Sequence, residues 1–384
     1  MNNTHIHPFP IELLDATIES RVKYFRNFYI DHPNLQCCYE HAMSAINSAC
    51  GPKIVLVTGP TGAGKTTLAR KIYKALQNQY RDQMEKEPGT VPVAGFNAIP
   101  PNGSSFNWKD FYVRLLERHG DVLTNRKMLI PRQHDLFEGM SAPLPIERST
   151  TEALRRATEK TLQNRKTKVL IIDEGHHILM VNDPKRLEFQ FEALKSLTIE
   201  SNVVIVLVGT YKLLAIRDQS GQLVRRSEIV HFPRYRSQIE GELENFTLAL
   251  KELMGQLPLP PPPIIDNKMA QYYFAKSAGS IGILKDWLAR CLEYALIRGK
   301  RTITREFAEE FALSNKSLIT IIDEAIDGEI ALEDTSFDAV RALLYRIGSG
   351  KISAPSKQPA TKRPAKVGER KPTRDKTGDD HGKR

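Results

Sequence analysis

The sequence has no long apolar run and few cysteines. Although 41% of its 384 residues are hydrophobic, no run approaches the roughly 20 apolar residues that a membrane-spanning helix needs, so we expect no membrane partner. The first residues carry neither the basic stretch nor the apolar stretch of a secretory signal. The four cysteines, Cys37, Cys38, Cys50 and Cys291, show no metal-ligand spacing. We therefore expect a cytoplasmic protein with free thiols.

A glycine-rich segment between an apolar stretch and a helical stretch is the most informative motif. Residues 54–57 are apolar and mostly β-branched, and residues 68–76 have helical spacing. In this strand–loop–helix order, glycines let backbone N–H groups surround phosphate oxygens at a helix N-terminus. The alternative is an ordinary glycine turn before a surface helix, which the flanking patterns disfavour. The predicted phosphate-binding residues are Gly59, Pro60, Thr61, Gly62, Ala63, Gly64, Lys65, Thr66 and Thr67.

Two side chains of this segment are expected to act on the nucleotide directly. Lys65 should reach the β- and γ-phosphates, and the Thr66 hydroxyl should ligate Mg²⁺. The sequence therefore predicts a site for a nucleoside triphosphate with Mg²⁺.

A second motif is an apolar run that ends in two acids, Asp173 and Glu174. The run, residues 169–172, is typical of a strand buried on both faces. Asp173 would hold the Mg²⁺ and its water shell, and Glu174 would orient and deprotonate an attacking water. A strand that ends in a solvated acidic turn is the alternative. The pair favours hydrolysis over phosphoryl transfer to a small molecule, because it supplies a base for water.

A third apolar run, residues 203–208, is expected to lie beside the Asp173 strand in a parallel sheet. Thr210 would then contact the γ-phosphate, unless the strand merely ends in a polar turn. Farther along, Arg225 and Arg226 are adjacent and precede a short strand. Either arginine would reach the ATP of a neighbouring subunit, although two arginines beside a glutamate also fit a salt-bridged surface.

These segments resemble the AAA+ ATPases, and within that class the TniB/TnsC transposition regulators. Residues 59–66, 170–177 and 206–210 carry the resemblance, and the pair His176–His177 is its most specific feature. Adjacent spacing without a nearby cysteine favours a structural or nucleotide-sensing contact for this pair over a metal site. The resemblance implies an α/β fold, an AAA+ P-loop NTPase with a parallel sheet flanked by helices, followed by a small helical lid domain.

The resemblance also implies a function. It indicates a bacterial, cytoplasmic regulator of transposition that uses ATP and Mg²⁺. Its partners would be double-stranded DNA, a transposase, a target-selection protein and further copies of itself in a ring or a helical filament. The chain departs from the wider class at Gly282, where a sensor arginine is usual. Lys285, one turn along, is either its replacement or a solvated helix residue.

Two other functions fit parts of the sequence. A replication initiator or helicase loader would carry a sequence-specific DNA module near its C-terminus, and too little strand signal follows Thr304 for one. A P-loop kinase acting on a small molecule would need an acceptor pocket and lid arginines near the P-loop, which the sequence does not show.

The expected organisation has five segments. They are a helical N-terminal extension (1–50), an α/β ATPase core (51–236), a helical lid (237–315), a C-terminal helical extension (316–350) and a basic tail (351–384). The tail holds eleven Lys or Arg against four Asp or Glu, so it carries +7 of the net charge of +10. With many prolines and few apolar side chains it is predicted to be disordered. It would tether DNA or a partner, or merely keep the chain soluble.

Local patterns predict further details of the α/β core. We expect the second strand at residues 91–96, a helix opened by a capping box at residues 149–152, and a helix over residues 184–197. Residues 21–29 are expected on the adenine side of the nucleotide. The helix over residues 107–119 carries the candidate DNA contacts Lys109, Arg114 and Arg118, which are equally ordinary for a surface helix.

Overall fold

The computed structural model describes residues 8–50, 53–101, 103, 105–119, 150–180, 184–216, 227–260 and 265–345. The candidate arginines Arg225 and Arg226 and the basic tail lie outside this part of the chain. Contacts divide the chain into two units, Met1–Glu333 and Asp334–Arg384. None of the helices in the described part combines the length and the apolar character that crossing a bilayer needs.

The first unit begins with two helices and then alternates strands with helices. The opening helices are α1 (Ile18–Asn27) and α2 (Pro33–Asn47). Short 3₁₀ turns follow two of the strands, at Gly175–Leu179 and Tyr211–Ile216. The alternating elements are β1 (Ile54–Thr58), α3 (Lys65–Gln79), α4 (Arg81–Lys86), β2 (Val93–Asn97), α5 (Trp108–Arg118), α6 (Thr151–Asn164), β3 (Val169–Asp173), α7 (Pro184–Ser201), β4 (Val204–Gly209) and β5 (Ser227–His231).

The five strands form one parallel sheet in the order β2-β3-β4-β1-β5. The expected pairing of β3 with β4 is confirmed. In the sheet register Thr58 lies beside Gly209, and Ile172 lies beside Leu207. The carboxyl ends of β1, β3 and β4 therefore meet at one edge of the sheet.

Helices cover both faces of this sheet, because the apolar side chains of each strand point alternately to either side. In β1, Ile54 and Leu56 join the apolar cluster that contains α5, α6 and α7. Val55 and Val57 join a second cluster with α2 and α3. All five residues of β1 are buried, as a strand covered on both faces requires. The predicted fold, a parallel sheet flanked by helices, is confirmed.

A helical region follows the sheet. It comprises α8 (Glu242–Gly255), α9 (Asn267–Lys276), α10 (Ile281–Ile297), α11 (Arg305–Glu309) and α12 (Asn315–Leu332). Its apolar cluster surrounds Trp287, whose indole Nε1 donates to Ala308 O at 2.8 Å. Val22 and Phe25 of α1 belong to the same cluster, so α1 packs with the helical region that follows the sheet. The predicted division into an extension, a core and a lid stays a prediction.

In the second unit the structure describes one helix, α13 (Phe337–Leu344). Ser336 caps it, since its side chain accepts a hydrogen bond from the N–H of Ala339.

Two predicted helix boundaries are wrong, one by a single residue and one by four. The helix predicted to open with a capping box at residues 149–152 has Thr150 as its N-cap, and the Thr150 hydroxyl accepts from Ala153 N at 3.2 Å. The helix predicted to end at residue 197 continues to Ser201. It ends there because the next residue, Asn202, adopts a left-handed backbone with φ of 51°.

Candidate nucleotide-binding site

The glycine-rich loop joins β1 to α3 and turns through two left-handed residues. Gly62 has φ of +79° and Gly64 has φ of +108°, in the region that glycine adopts without steric cost. Gly64 is the N-cap of α3, which begins at Lys65. The N–H groups of its first turn have no carbonyl partner within the helix and carry the positive end of its dipole. This conformation fits the binding of phosphate.

Gly59, the first glycine of the loop, lies where the backbone after β5 passes close to the backbone of the loop. The N–H of Phe232, just after β5, donates to Thr58 O at 2.7 Å. A Cβ on Gly59 would lie closer than 3.0 Å to the carbonyl oxygen of Phe232. A larger residue at position 59 would therefore separate the loop from the end of β5.

Lys65 lies inside the loop. Its Nζ donates to Gly59 O at 3.0 Å and to Pro60 O at 2.7 Å. Burial lowers the pKa of Lys65 to about 8, and the nearby carboxylates of Glu174 and Asp173 oppose that shift. The predicted phosphate-binding lysine and the predicted acidic pair are thus close enough to interact.

The two acids occupy different environments at the end of β3. Asp173 is the last residue of the strand and is buried, and its Oδ1 accepts from Glu174 N at 2.9 Å. Glu174 has φ of 54° and its side chain is 47% exposed. A non-glycine residue in this left-handed region is uncommon, and strain of roughly 1–3 kcal/mol of this kind concentrates at functional sites. The strained backbone turns the Glu174 carboxylate out of the strand direction.

The paired histidines lie directly behind Glu174, with ring centroids 4.3 Å apart. His176 Nδ1 is 3.3 Å from Glu174 Oε2, yet it makes no hydrogen bond there. Burial, followed by repulsion from His177, Lys212 and Lys65, lowers the pKa of His176 to about 4. The imidazole is therefore neutral at pH 7, and the contact with Glu174 is not an ion pair.

These two histidines and Glu174 also bring one ligand atom each within 4.8 Å of one another. His177 Nδ1, however, lies 3.1 Å from Ala98 O, and a carbonyl accepts only from a protonated nitrogen. This contact leaves His177 Nε2 as its remaining ligand atom. Since the carboxylate of the cluster belongs to the candidate base, the expectation of a structural or nucleotide-sensing contact for the pair stays a prediction.

Three buried side-chain atoms without hydrogen-bond partners lie at this edge of the sheet. They are Thr58 Oγ1 at the end of β1, His176 Nδ1 after β3 and Thr210 Oγ1 after β4. An unpaired buried polar group costs about 1–3 kcal/mol, so such groups are rare unless a ligand or water satisfies them. A polar ligand bound beside the glycine-rich loop would supply hydrogen-bond partners for these three atoms. Thr58 was missed in the sequence, although a polar residue at the end of an apolar strand is a usable signal.

Comparison with known protein families matches residues 50–216 to the AAA domain. We call residues 50–216 the AAA domain after this match. The match covers β1 to β4 and includes the glycine-rich loop, the Asp173–Glu174 pair and Thr210.

The remaining comparisons carry no argument about what this chain does. A search of curated proteins finds no significant match. Among solved structures, the Aeropyrum pernix ORC2 protein is similar over 82% of this chain and 71% of its own, at 15% identity and a TM-score of 0.44. The A. pernix ORC1 protein in complex with DNA is similar over 76% and 68%, at 17% identity and 0.49. The Walker-type ATPase paby2304 of Pyrococcus abyssi is similar over 80% and 75%, at 13% and 0.42.

A pocket adjoins the P-loop of the AAA domain on the side of α1 and the helical region. Of the predicted stretch, residues 21–29, Tyr29 lines this pocket, whereas Arg21 Nε donates to Pro258 O at 3.0 Å. The buried His32 is held by a 2.9 Å contact between its Nδ1 and Tyr235 Oη. The lining residues are Tyr29, Ile30, His32, Leu35, Ala63, Gly64, Thr67, Leu253, Ile281, Gly282 and Lys285. Its apolar walls next to the phosphate loop suit a nucleotide base.

The helical region contacts the P-loop of the AAA domain at Gly282, the position of the missing arginine. The N–H of Gly282 donates to Gly62 O at 2.8 Å. A Cβ on Gly282 would lie closer than 3.0 Å to that oxygen, so no arginine fits in this arrangement. Lys285 lines the pocket and its Nζ donates to Arg26 O at 2.9 Å, while burial lowers its pKa. Its role as a replacement sensor stays a prediction.

The candidate DNA contacts of the AAA domain do not share one face of α5. Helical geometry separates Lys109 from Arg114 by roughly 140° around the axis, whereas Arg114 and Arg118 are one turn apart. Arg114 Nε pairs with Asp110 Oδ2 at 2.7 Å. The three residues therefore form no single basic patch.

Proposed function

We propose that this chain hydrolyses ATP at the carboxyl edge of its parallel sheet. The observation that carries the proposal is that the loop after β1, which holds Lys65, and the Asp173–Glu174 pair at the end of β3 lie at the same edge of the sheet, beside three buried polar atoms without partners. The AAA domain at residues 50–216 supports it.

Each residue of the site has a proposed role. The backbone N–H groups of residues 62–67 and the Lys65 ammonium bind the phosphates. Thr66 and Asp173 would hold Mg²⁺, which neutralises phosphate charge when bound. Glu174 takes the proton of the attacking water as the water oxygen bonds to the γ-phosphorus. The bond from that phosphorus to the β-phosphate oxygen breaks, and ADP and phosphate are released. Thr210 donates a hydrogen bond to the γ-phosphate.

We further propose that the chain regulates transposition by assembling on double-stranded DNA. ATP binding would join copies into a ring or helical filament, with Arg225 or Arg226 of one copy completing the site of the next. The assembly would recruit a transposase and a target-selection protein and dissociate after hydrolysis. The resemblance of residues 170–177 and 206–210 to the TniB/TnsC regulators supports this proposal.

The test follows assembly by mass photometry with double-stranded DNA and a slowly hydrolysed ATP analogue. We expect oligomers on DNA for the wild type and none for Lys65→Ala, and binding that weakens with salt because the contacts are to phosphates. Monomers under all conditions would contradict the assembly. A pull-down then distinguishes partners: capture of the transposase supports the regulator, while capture of a replicative helicase instead favours an initiator or loader.

A further inference from the structure

We propose that α12 positions Thr210 for hydrolysis by packing against Tyr211, the next residue in the chain. This inference rests on the proposed ATPase. It makes Tyr211, Gly328 and Glu329 positioning residues, since they act on the nucleotide site through Thr210.

The contact at Gly328 requires a glycine. Gly328 is buried within α12, and a Cβ added there would lie closer than 3.0 Å to three carbon atoms of the Tyr211 ring. Inside a helix, glycine is less favourable than alanine by roughly 0.5–1 kcal/mol. The space for the ring accounts for this unfavourable residue, because any side chain at position 328 would displace Tyr211.

An ion pair fixes the same part of α12 to the end of the sheet. Glu329 accepts hydrogen bonds from Arg234, at 2.9 Å from Nε to Oε1 and 3.3 Å from Nη2 to Oε2. The two side chains are 13% and 15% exposed. A fork of this kind has defined geometry, and the loss of one partner would leave a nearly buried charge unpaired. Two successive residues of α12 are therefore fixed to the sheet-containing part of the unit: Gly328 contacts Tyr211, and Glu329 pairs with Arg234.

Tyr211 is in turn held at both ends. Its ring lies against Gly328, and its hydroxyl is 2.9 Å from His231 Nε2 at the end of β5. Burial, and next the nearby carboxylate of Glu329, raise the pKa of Tyr211, which places all three groups in one cluster.

Thr210 lies between this cluster and the nucleotide site. It follows β4 directly, its carbonyl accepts from Leu213 N at 3.0 Å, and its buried Oγ1 has no hydrogen-bond partner. Because no hydrogen bond holds the Thr210 hydroxyl, its position is set mainly by the backbone of Thr210 and of the two residues next to it in the chain. Tyr211 is one of these two residues. A displaced Tyr211 ring would turn Thr210 away from the γ-phosphate.

The test measures ATP turnover and nucleotide affinity of Gly328→Ala against Asp327→Ala, an exposed neighbour on the same helix. We expect Gly328→Ala to lower kcat roughly tenfold, since small misplacements of a catalytic group cost up to about a hundredfold, with little change in the Kd of an ATP analogue. Asp327→Ala should stay within about twofold of the wild type, because surface substitutions have small effects. Unchanged kcat in Gly328→Ala would overturn the proposal.

A double-variant cycle separates positioning from general damage. If α12 acts through Thr210, Gly328→Ala should lower kcat no further in a Thr210→Ala background. An undiminished effect of Gly328→Ala in the Thr210→Ala background would also overturn the proposal.

If circular dichroism shows that Gly328→Ala does not fold, Glu329→Gln gives the same test without a change of side-chain volume. A wild type without turnover would refute the ATPase itself, whereas turnover that is insensitive to these variants would refute this inference alone.

Discussion

The helical region contacts the AAA domain at two glycines that lie on different sides of the nucleotide site. Gly282 of α10 is hydrogen-bonded to Gly62 of the P-loop, beside the pocket suited to the base. Gly328 of α12 lies against Tyr211, beside the residue proposed to contact the γ-phosphate. The first contact should therefore control how tightly a nucleotide binds, and the second how fast it is hydrolysed.

The two contacts also differ in what can give way. A side chain at position 282 would meet the backbone of the P-loop, so α10 itself would have to move. At position 328 it would meet the ring of Tyr211, a side chain whose hydroxyl lies against His231, so the displacement would stay within the segment around Thr210 and Tyr211. Substitution at Gly282 should consequently change the position of a whole helix, while substitution at Gly328 should act locally.

The largest expected effects come from two variants of the AAA domain itself, one that should lose nucleotide binding and one that should lose hydrolysis. We expect Lys65→Ala to abolish ATP binding, because it removes the half-buried ammonium of the phosphate loop. Glu174→Gln should bind ATP with normal affinity but hydrolyse it roughly 10²–10⁴-fold more slowly, the usual contribution of a general base. Calorimetry with an ATP analogue and a phosphate-release assay measure the two effects.

Glu192→Gln, on the exposed surface of α7, serves as the control for the loss of a carboxylate. Equal hydrolysis by Glu174→Gln and the wild type would remove Glu174 from the mechanism.

Substitution at Gly282 tests the binding side of the comparison. We expect Gly282→Ala to weaken nucleotide binding about tenfold, since overpacking a tight contact costs roughly 1–3 kcal/mol. Asp286→Ala, at an exposed position of the same helix, should bind nucleotide like the wild type. Kd values of a fluorescent ATP analogue decide the outcome. A Gly282→Ala protein with normal affinity and slow turnover would reverse the roles that we assign to the two glycines.

Features that depend on neighbouring residues could be predicted from the sequence. The P-loop and the strand ending at Asp173 follow from glycine spacing and an apolar run, because each needs only local backbone geometry. The parallel arrangement follows from apolar runs typical of strands buried on both faces. The match of residues 50–216 to the AAA domain agrees with that prediction. The helix ends were less certain, since Thr150 and Ser149 are both acceptable caps and only the fold selects between them.

The contacts between distant segments could not be predicted in this way. Gly282 looked like a missing arginine, and its hydrogen bond to Gly62 appears only when α10 is placed against the loop. Gly328 carried a weak signal, because a glycine inside a long helix usually has a packing reason, but nothing in the sequence connects it to Tyr211. Likewise, the packing of α1 with the helical region depends on side chains more than two hundred residues apart.

The smallest expected effect is a pH dependence of the free energy of unfolding, caused by His32 in the pocket beside the P-loop. Burial lowers the pKa of His32 to about 4, an effect that Asp31 opposes and Lys71 reinforces, whereas an unfolded histidine titrates near about 6.5. Between these values the unfolded chain binds the extra proton, so the stability present above pH 6.5 is lost as the pH falls towards 4. His32 alone should reduce the free energy of unfolding by about 1 kcal/mol between pH 7.5 and 5.5. Urea unfolding of the wild type and His32→Gln at both pH values isolates this share, because His176 remains in both proteins. Glutamine keeps a hydrogen-bonding group for Tyr235 but does not titrate, so an identical pH dependence in the two proteins would show that His32 is protonated without cost in the fold.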